Sequence, residues 1–313
     1  MTCARERKLA SVTLRPRLVL PGLLLVVACH RRATTRPQIG VTLPDSAASF
    51  SLELRRGMQQ AADSLGLDLH VAVASDPARQ TAQVDTFIRG SMDAIVIAPV
   101  NASGIASAVE DANRARIPVF TAAIATEGGQ VVSHVASDDR QGGQLLGVYV
   151  ARQLQGGGNV AILDQPTVAN VRDRVAGFRE ALGAYPNIRI VAAPAVEGGL
   201  REAAKQRMGN LLATEQPINA VFGTNDDCAL GALAAIQAAG RTGILVVGYD
   251  AGPEARAAIA QGTPLLADAV PQPATIGRRT MEAVAARLKG DSVAARILIP
   301  VGLVNRAALT ARP

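Results

Sequence analysis

Eight short apolar runs rich in valine and isoleucine recur along this chain, over residues 39–43, 69–74, 94–98, 118–121, 160–163, 188–192, 220–222 and 245–247. Between most of them lie stretches with apolar residues at three and four spacing, such as Leu54, Met58, Ala61, Ala62 and Leu65, or Val84, Phe87 and Ile88. That spacing lines one face of a helix. Strands that alternate with helices build parallel sheets covered on both faces, because successive parallel strands need a crossover. The expected fold class is therefore α/β. The runs fall into two groups that divide near Ser137-Asp138-Asp139, which predicts two similar lobes rather than one large sheet.

The first thirty residues carry a different signal. A basic stretch (Arg5, Arg7, Lys8, Arg15, Arg17) precedes an apolar run over 18–28 that stops at Cys29. A core of about eleven residues is too short to span a bilayer, which needs about twenty, so residues 1–28 are expected to be an export signal. Val26-Val27-Ala28-Cys29 resembles a bacterial lipobox. That resemblance implies cleavage before Cys29 and a lipid on its thiol, with 29–37 as lipidated cysteine and tether. An ordinary signal peptide that happens to hold a cysteine is the alternative. Either way the protein is expected outside the cytoplasm, periplasmic or held in the cell envelope. About 275 residues remain to fold, enough for two domains of ordinary size.

Without residues 1–28 the chain has 27 basic and 25 acidic side chains, and Arg31, Arg32 and Arg36 lie in the tether. The folded part is close to neutral, which makes no case for nucleic acid. Cys3 leaves with the signal and Cys29 is the acylation candidate, so Cys228 has no disulfide partner and reads as a small buried hydrophobe. His30, His70 and His134 are far apart, and none is paired at ligand spacing with another His, a Cys or a carboxylate. No metal site and no cofactor are expected. His134 falls in Val131-Val132-Ser133-His134-Val135, which alternates like a short strand and gives the histidine a structural role. No nucleophile elbow, Ser-His-Asp order or phosphate-cradling loop is present, so an enzyme is not expected.

Two polar positions stand just beyond apolar runs: Asn225 in Gly223-Thr224-Asn225-Asp226-Asp227-Cys228, and Asp250 in Val246-Val247-Gly248-Tyr249-Asp250. In an open α/β sheet such positions present groups to a ligand. An asparagine offers an acceptor and two donors, and an aspartate offers two acceptors, which suits vicinal hydroxyls. The competing role is a helix cap, assigned here to Asp226.

These segments, with Arg56-Gly57-Met58-Gln59-Gln60-Ala61-Ala62 and Ile117-Pro118-Val119-Phe120-Thr121, occur in order and resemble the periplasmic sugar-binding proteins of the ribose-binding type. The resemblance covers nearly all of 37–304. It implies the type I periplasmic binding fold, two Rossmann-like lobes with parallel sheets joined by a three-strand hinge. The implied lobes are 38–137 plus 271–298, and 138–270 plus 299–313, with crossings near Ser137, Pro271 and Leu298. Carried over residue by residue, the resemblance implies ligand contacts from Arg172, Asn225 and Asp250, with Arg174 as the competing arginine. Phe50, Ser137 and Gln272 are the further candidates.

The first lobe departs from the family pattern. Ala48 takes an asparagine place, Ala122-Ala123-Ile124-Ala125 stands where an aspartate and an arginine clamp the sugar, and Pro271 replaces a glutamine, with Gln272 one place on. Each lost bidentate contact to a buried hydroxyl costs about 1–3 kcal/mol. Free ribose is therefore disfavoured. The expected ligand has a polar end toward Arg172, Asn225 and Asp250 and a less polar end toward Phe50, Ala123 and Ile124. The resemblance implies a monomeric receptor, anchored to the membrane through lipid, that delivers a carbohydrate-like small molecule to an ABC permease. The alternative is a sensor presenting its closed form to a chemoreceptor or kinase. A lactose-repressor-type regulator shares the fold but needs an N-terminal helix-turn-helix, whose place the export signal takes.

Overall fold

A computed structural model of the chain describes Thr2 and residues 36–46, 49–214 and 216–311. Cys29, Ala48 and the apolar run over 18–28 lie outside the described residues.

The chain begins β1 (Gln38–Pro44), α1 (Ser49–Leu65), β2 (Asp68–Ala74), α2 (Pro77–Arg89), β3 (Ala94–Ile97), α3 (Ala106–Arg114), β4 (Val119–Ala122) and β5 (Ser133–Ser137). It continues α4 (Asp139–Gln153), β6 (Gly157–Leu163), α5 (Ala169–Gly183), β7 (Asn187–Ala192), α6 (Arg201–Leu212), β8 (Ala220–Gly223), α7 (Asp226–Ala238) and β9 (Leu245–Tyr249). The last elements are α8 (Pro253–Ala260), β10 (Leu265–Val270), α9 (Pro273–Leu288), β11 (Arg296–Ile299), β12 (Gly302–Asn305) and α10 (Arg306–Thr310).

These strands form two six-stranded sheets, ordered β11-β5-β4-β3-β1-β2 and β12-β10-β9-β8-β6-β7. Every pairing in the first sheet is parallel. The second is parallel except at its edge, where β12 runs antiparallel to β10. The α/β expectation with two parallel-sheet lobes is met, with that edge as the departure. The chain passes between the sheets after β5, after β10 and between β11 and β12.

Each sheet is apolar on both faces. In β1, Ile39, Val41 and Leu43 pack with Leu54, Met58, Ile276 and Val284 of α1 and α9, while Val84 and Phe87 of α2 join Ile95, Ile97 and Val109 on the opposite face. The second sheet repeats the plan, with α6, α7 and α8 on one side and α4 and α5 on the other. Full burial of one such aliphatic or aromatic side chain stabilises by about 1.5–3 kcal/mol, so a run buried on both faces defines a strand more firmly than propensity does.

The contact of α4 with α5 sets the position of the site. A Cβ placed on Gly143 would stand 1.9 Å from the Arg174 carbonyl oxygen, and one on Gly177 would stand 1.9 Å from that of Arg140. Only glycine lets the two backbones approach so closely, and that approach carries Arg174 to the end of the second sheet.

Candidate functional site

A cavity of about 350 Å³ opens between the two sheets, where strand ends of both converge. From the first sheet and its helices come Phe50, Leu54, Ala98, Pro99, Ala123 and Ile124, a mostly apolar wall in which Ser49 and Ser51 are the polar members. The facing wall carries Asp139, Asn170, Arg174, Asp226 and Asp250. Ser137, the last residue of β5, lies where the chain crosses. A second cavity of about 700 Å³ shares Ala123, Ile124, Ser137, Asp139 and Asn170 with the first and extends the cleft past Asn101 and Thr167.

Arg174 is the hub of the polar wall. It is 8% exposed. Its Nε donates to Asp139 Oδ1 at 2.8 Å and its Nη1 to the Thr224 carbonyl at 2.9 Å. Nη2 stands 3.5 Å from Asp250 Oδ1, and the guanidinium lies over the Tyr249 ring at 3.7 Å from its centroid. Burial alone would favour loss of its charge, but Asp250 and Asp139 outweigh that and hold the cation more firmly than usual. Burial pushes the Asp250 carboxyl up to about 6; Arg174 opposes the shift, and Asp226 and Asp139 add to it.

Two helix starts place the carboxylates by the same device. Asp138 caps α4 by accepting the Gln141 N–H at 3.0 Å, which leaves the next residue, Asp139, facing the cleft. Asn225 caps α7 by accepting the Cys228 N–H at 2.7 Å, and the next residue, Asp226, lines the cleft. A cap side chain folds back onto its own helix, so its successor is the one free to point outward.

Three of the expected ligand contacts lie away from the cavity lining. Asn225 lines neither cavity; both ends of its carboxamide are engaged, by Cys228 and by the Gly199 carbonyl at 3.2 Å. The roles expected for Asn225 and Asp226 are thus reversed. Arg172 is exposed and donates to the Pro166 carbonyl at 3.2 Å, while the competing Arg174 occupies the cavity wall. Residues two apart on a helix point to opposite sides, so only one of the pair can face inward. Gln272 is exposed and donates to the Pro300 carbonyl at 2.8 Å, joining two of the crossings instead of lining the cleft. Phe50, Ser137 and Asp250 do line it.

Asp139 and Asn170 were missed from the sequence. The doubled Asp138-Asp139 was the available signal for the first, since one aspartate suffices as a cap. His134 sits on β5 with Nδ1 2.9 Å from Thr121 Oγ1. Burial, and secondarily Arg296, push it down to about 4, so it is neutral at ordinary pH. Among the described residues no group of three or more His, Cys, Asp and Glu is placed to hold a metal ion.

Two like lobes joined by three crossings around a cleft with one polar and one apolar wall define a two-lobed α/β binding protein. The profile of the family described as the periplasmic binding protein domain matches residues 39–292, and the chain belongs to that family. It is 35% identical over 289 residues to the ribose import binding protein of Escherichia coli (strain K12), spanning 91% of this chain and 96% of that one. Among solved structures, it is similar to an ABC transporter periplasmic solute binding protein from Actinobacillus succinogenes 130z with bound D-allose, at 26% identity and a TM-score of 0.77, covering 88% of this chain and 99% of that one. An ABC transporter solute binding protein from Bacillus halodurans C-125 with bound myo-inositol gives 27% identity and a TM-score of 0.77, covering 88% of this chain and 96% of that one.

Proposed function

We propose that the chain is an exported, lipid-anchored solute receptor that captures a sugar or cyclitol in the interlobe cleft and delivers it to an ABC importer. The observation that carries this reading is the pairing of a carboxylate-and-guanidinium wall with an apolar wall across one cavity of about 350 Å³. Carboxylates accept from ligand hydroxyls, the guanidinium donates, and Phe50 and Ile124 cover a carbon-rich ring face. The ligand-holding residues are Arg174, Asp250, Asp139 and Asn170, with Phe50 and Ser137 completing the cavity. Residues 38–137 plus 271–298 act as one lobe and 138–270 plus 299–313 as the other. Because both walls are needed to enclose a ligand, binding favours the closed arrangement. The names of the relatives support a sugar or cyclitol, and the apolar first wall supports one other than free ribose. The basic stretch, short apolar run and Cys29 support the leader and anchor.

Thermal-shift measurements with D-ribose, D-allose, xylitol and myo-inositol test the binding, since a ligand that binds only the folded form raises its melting temperature. A shift is expected for at least one cyclitol or hexose and is expected to vanish in Asp250→Ala. No shift with any of the four overturns the ligand class; a large ribose shift overturns the exclusion of ribose. Cys29→Ala is expected to abolish lipidation of the precursor, and retained lipid labelling would overturn the anchor.

A further inference from the structure

Asp268 lies in the middle of β10 with 0% exposure, and neither of its carboxylate oxygens makes a well-formed hydrogen bond to a donor among the described residues. Asp226 stands against it. The Asp226 Oδ1 is likewise buried and makes no well-formed hydrogen bond to a donor among the described residues, whereas Oδ2 accepts the Gly252 N–H at 2.7 Å. The two carboxyl groups are within hydrogen-bonding contact of each other. From β9, Gly248 faces Asp268 so closely that a Cβ there would be 2.9 Å from Oδ2, and Asp250 follows at the strand end. The Ala251 N–H lies beside both carboxyls. From α7, Asp227 adds a further negative charge near Asp226. Two carboxylates in contact in a dry interior cannot both stay ionised, because each repels the other and neither is hydrated. One proton between them turns the conflict into an O–H···O hydrogen bond.

The bond from Gly252 to Asp226 closes a turn that is otherwise unfavourable. Asp250 has φ 101° and Ala251 has φ 52°, conformations that side-chain-bearing L-residues seldom adopt. Such a turn persists only where its surroundings hold it, and the holding atom here is Asp226 Oδ2.

We propose that Asp268 is a positioning residue of the cleft: it shares one proton with Asp226, and the hydrogen-bonded pair pins the Asp250–Gly252 turn that presents the Asp250 carboxylate to the ligand. The proposal rests on the reading of the cleft as a solute site, but the proton and the turn are testable without any ligand. Burial and the neighbouring Asp226 carboxyl hold Asp268 protonated well above the usual carboxylate range.

The full chain, solubilised in detergent and labelled with carbon-13 at the aspartate carboxyls, is titrated by NMR. One carboxyl is expected to remain protonated at about pH 7, where an ordinary aspartate, titrating at about 3.9, is ionised. Its signal is expected to disappear in Asp268→Asn and to shift in Asp226→Asn, where burial still favours the protonated Asp268. If every aspartate titrates near its ordinary value, or if the protonated signal survives Asp268→Asn or stays unshifted in Asp226→Asn, the shared proton is refuted. Amide hydrogen exchange reads the turn. Asp268→Asn still donates a hydrogen bond to Asp226 and is expected to leave Gly252 protected as in the parent, while Asp268→Val is expected to raise its exchange at least about tenfold. Equal protection of Gly252 in Asp268→Val and the parent overturns the positioning role. Should Asp268→Val fail to fold, Asp268→Ser, whose shorter side chain cannot bridge to Asp226, replaces it with the same expectation. Calorimetry with D-allose and myo-inositol separates this from the functional reading: binding of neither sugar to the parent counts against these ligands and leaves the proton and exchange results standing.

Discussion

Replacing Arg174 with methionine keeps the buried volume roughly constant and removes the one charge that Asp139, Asp250 and the Tyr249 ring all face. The guanidinium is held by a 2.8 Å bond to Asp139 and a 2.9 Å bond to Thr224, and it stands 3.5 Å from Asp250 and 3.7 Å from the Tyr249 centroid. Removing one member of such a buried ion pair costs about 3–5 kcal/mol, because the remaining carboxylate is left desolvated and uncompensated. A loss of about 4 kcal/mol corresponds to a melting temperature lower by about 8–16 °C, at about 2–4 °C per kcal/mol for a protein near this size. The penalty has a pH signature. Without Arg174, which opposes the upward shift of Asp250, that carboxyl holds its proton more tightly, so acidification neutralises it and the gap between Arg174→Met and the parent narrows as pH falls. Melting curves by circular dichroism at about pH 8 and about pH 5 test both statements, and Arg174→Met combined with Asp139→Asn is expected to recover part of the loss. A melting temperature within about 2 °C of the parent at about pH 8, or a gap that widens on acidification, refutes the reasoning.

Asp250 releases a proton on unfolding between its ordinary value and about 6, so the stability it contributes is present at low pH and is lost as pH rises through that window. Asp250→Asn is expected to remove this part of the slope, measured as urea midpoints across the range. His134 acts in the opposite sense: held neutral down to about 4, it supports folding at higher pH and loses that contribution as pH falls from about 6.5. His134→Gln is expected to flatten the acid limb of the same urea series. Gly143→Ala places a methyl 1.9 Å from the Arg174 carbonyl and is expected to destabilise by about 1–3 kcal/mol or more while shifting α5 away from the cleft. The Cys228 thiol is buried and pushed up to about 11 by that burial. In a chain with Cys3 and Cys29 replaced by serine it is expected to resist a maleimide until urea unfolds the protein; rapid native labelling would contradict the burial.

The alternation that defines the fold was legible because strands buried on both faces leave an unbroken apolar signature. The runs over 94–98 and 220–222 correspond to β3 (Ala94–Ile97) and β8 (Ala220–Gly223), each buried at every position. The strands β11 (Arg296–Ile299) and β12 (Gly302–Asn305) left no such signature, since they edge their sheets and each buries only one residue. Their partners, β5 and β10, come from much earlier in the chain or from before a whole helix. The switch between sheets at this point depends on those distant pairings.

Within the site, the residue types were legible and their directions were not. The sequence by itself marked out polar positions just beyond strands, Asn225-Asp226 and Asp250, together with the Arg172 and Arg174 pair. It also determined that a helix starts at Asn225-Asp226, because a cap and the composition of the helix behind it are local. Which member of each pair looks into the cleft was decided by tertiary structure. Arg174 faces inward because α5 lies against α4 at glycines Gly143 and Gly177, and that contact sets the rotation of the helix about its axis. Asp226 faces inward because Asn225 is spent on Cys228 and Gly199, and Gly199 is brought there by the long-range packing of the second lobe. A helix propensity or a turn preference acts over a few residues, whereas the direction of a side chain into a shared cavity depends on every element packed around it.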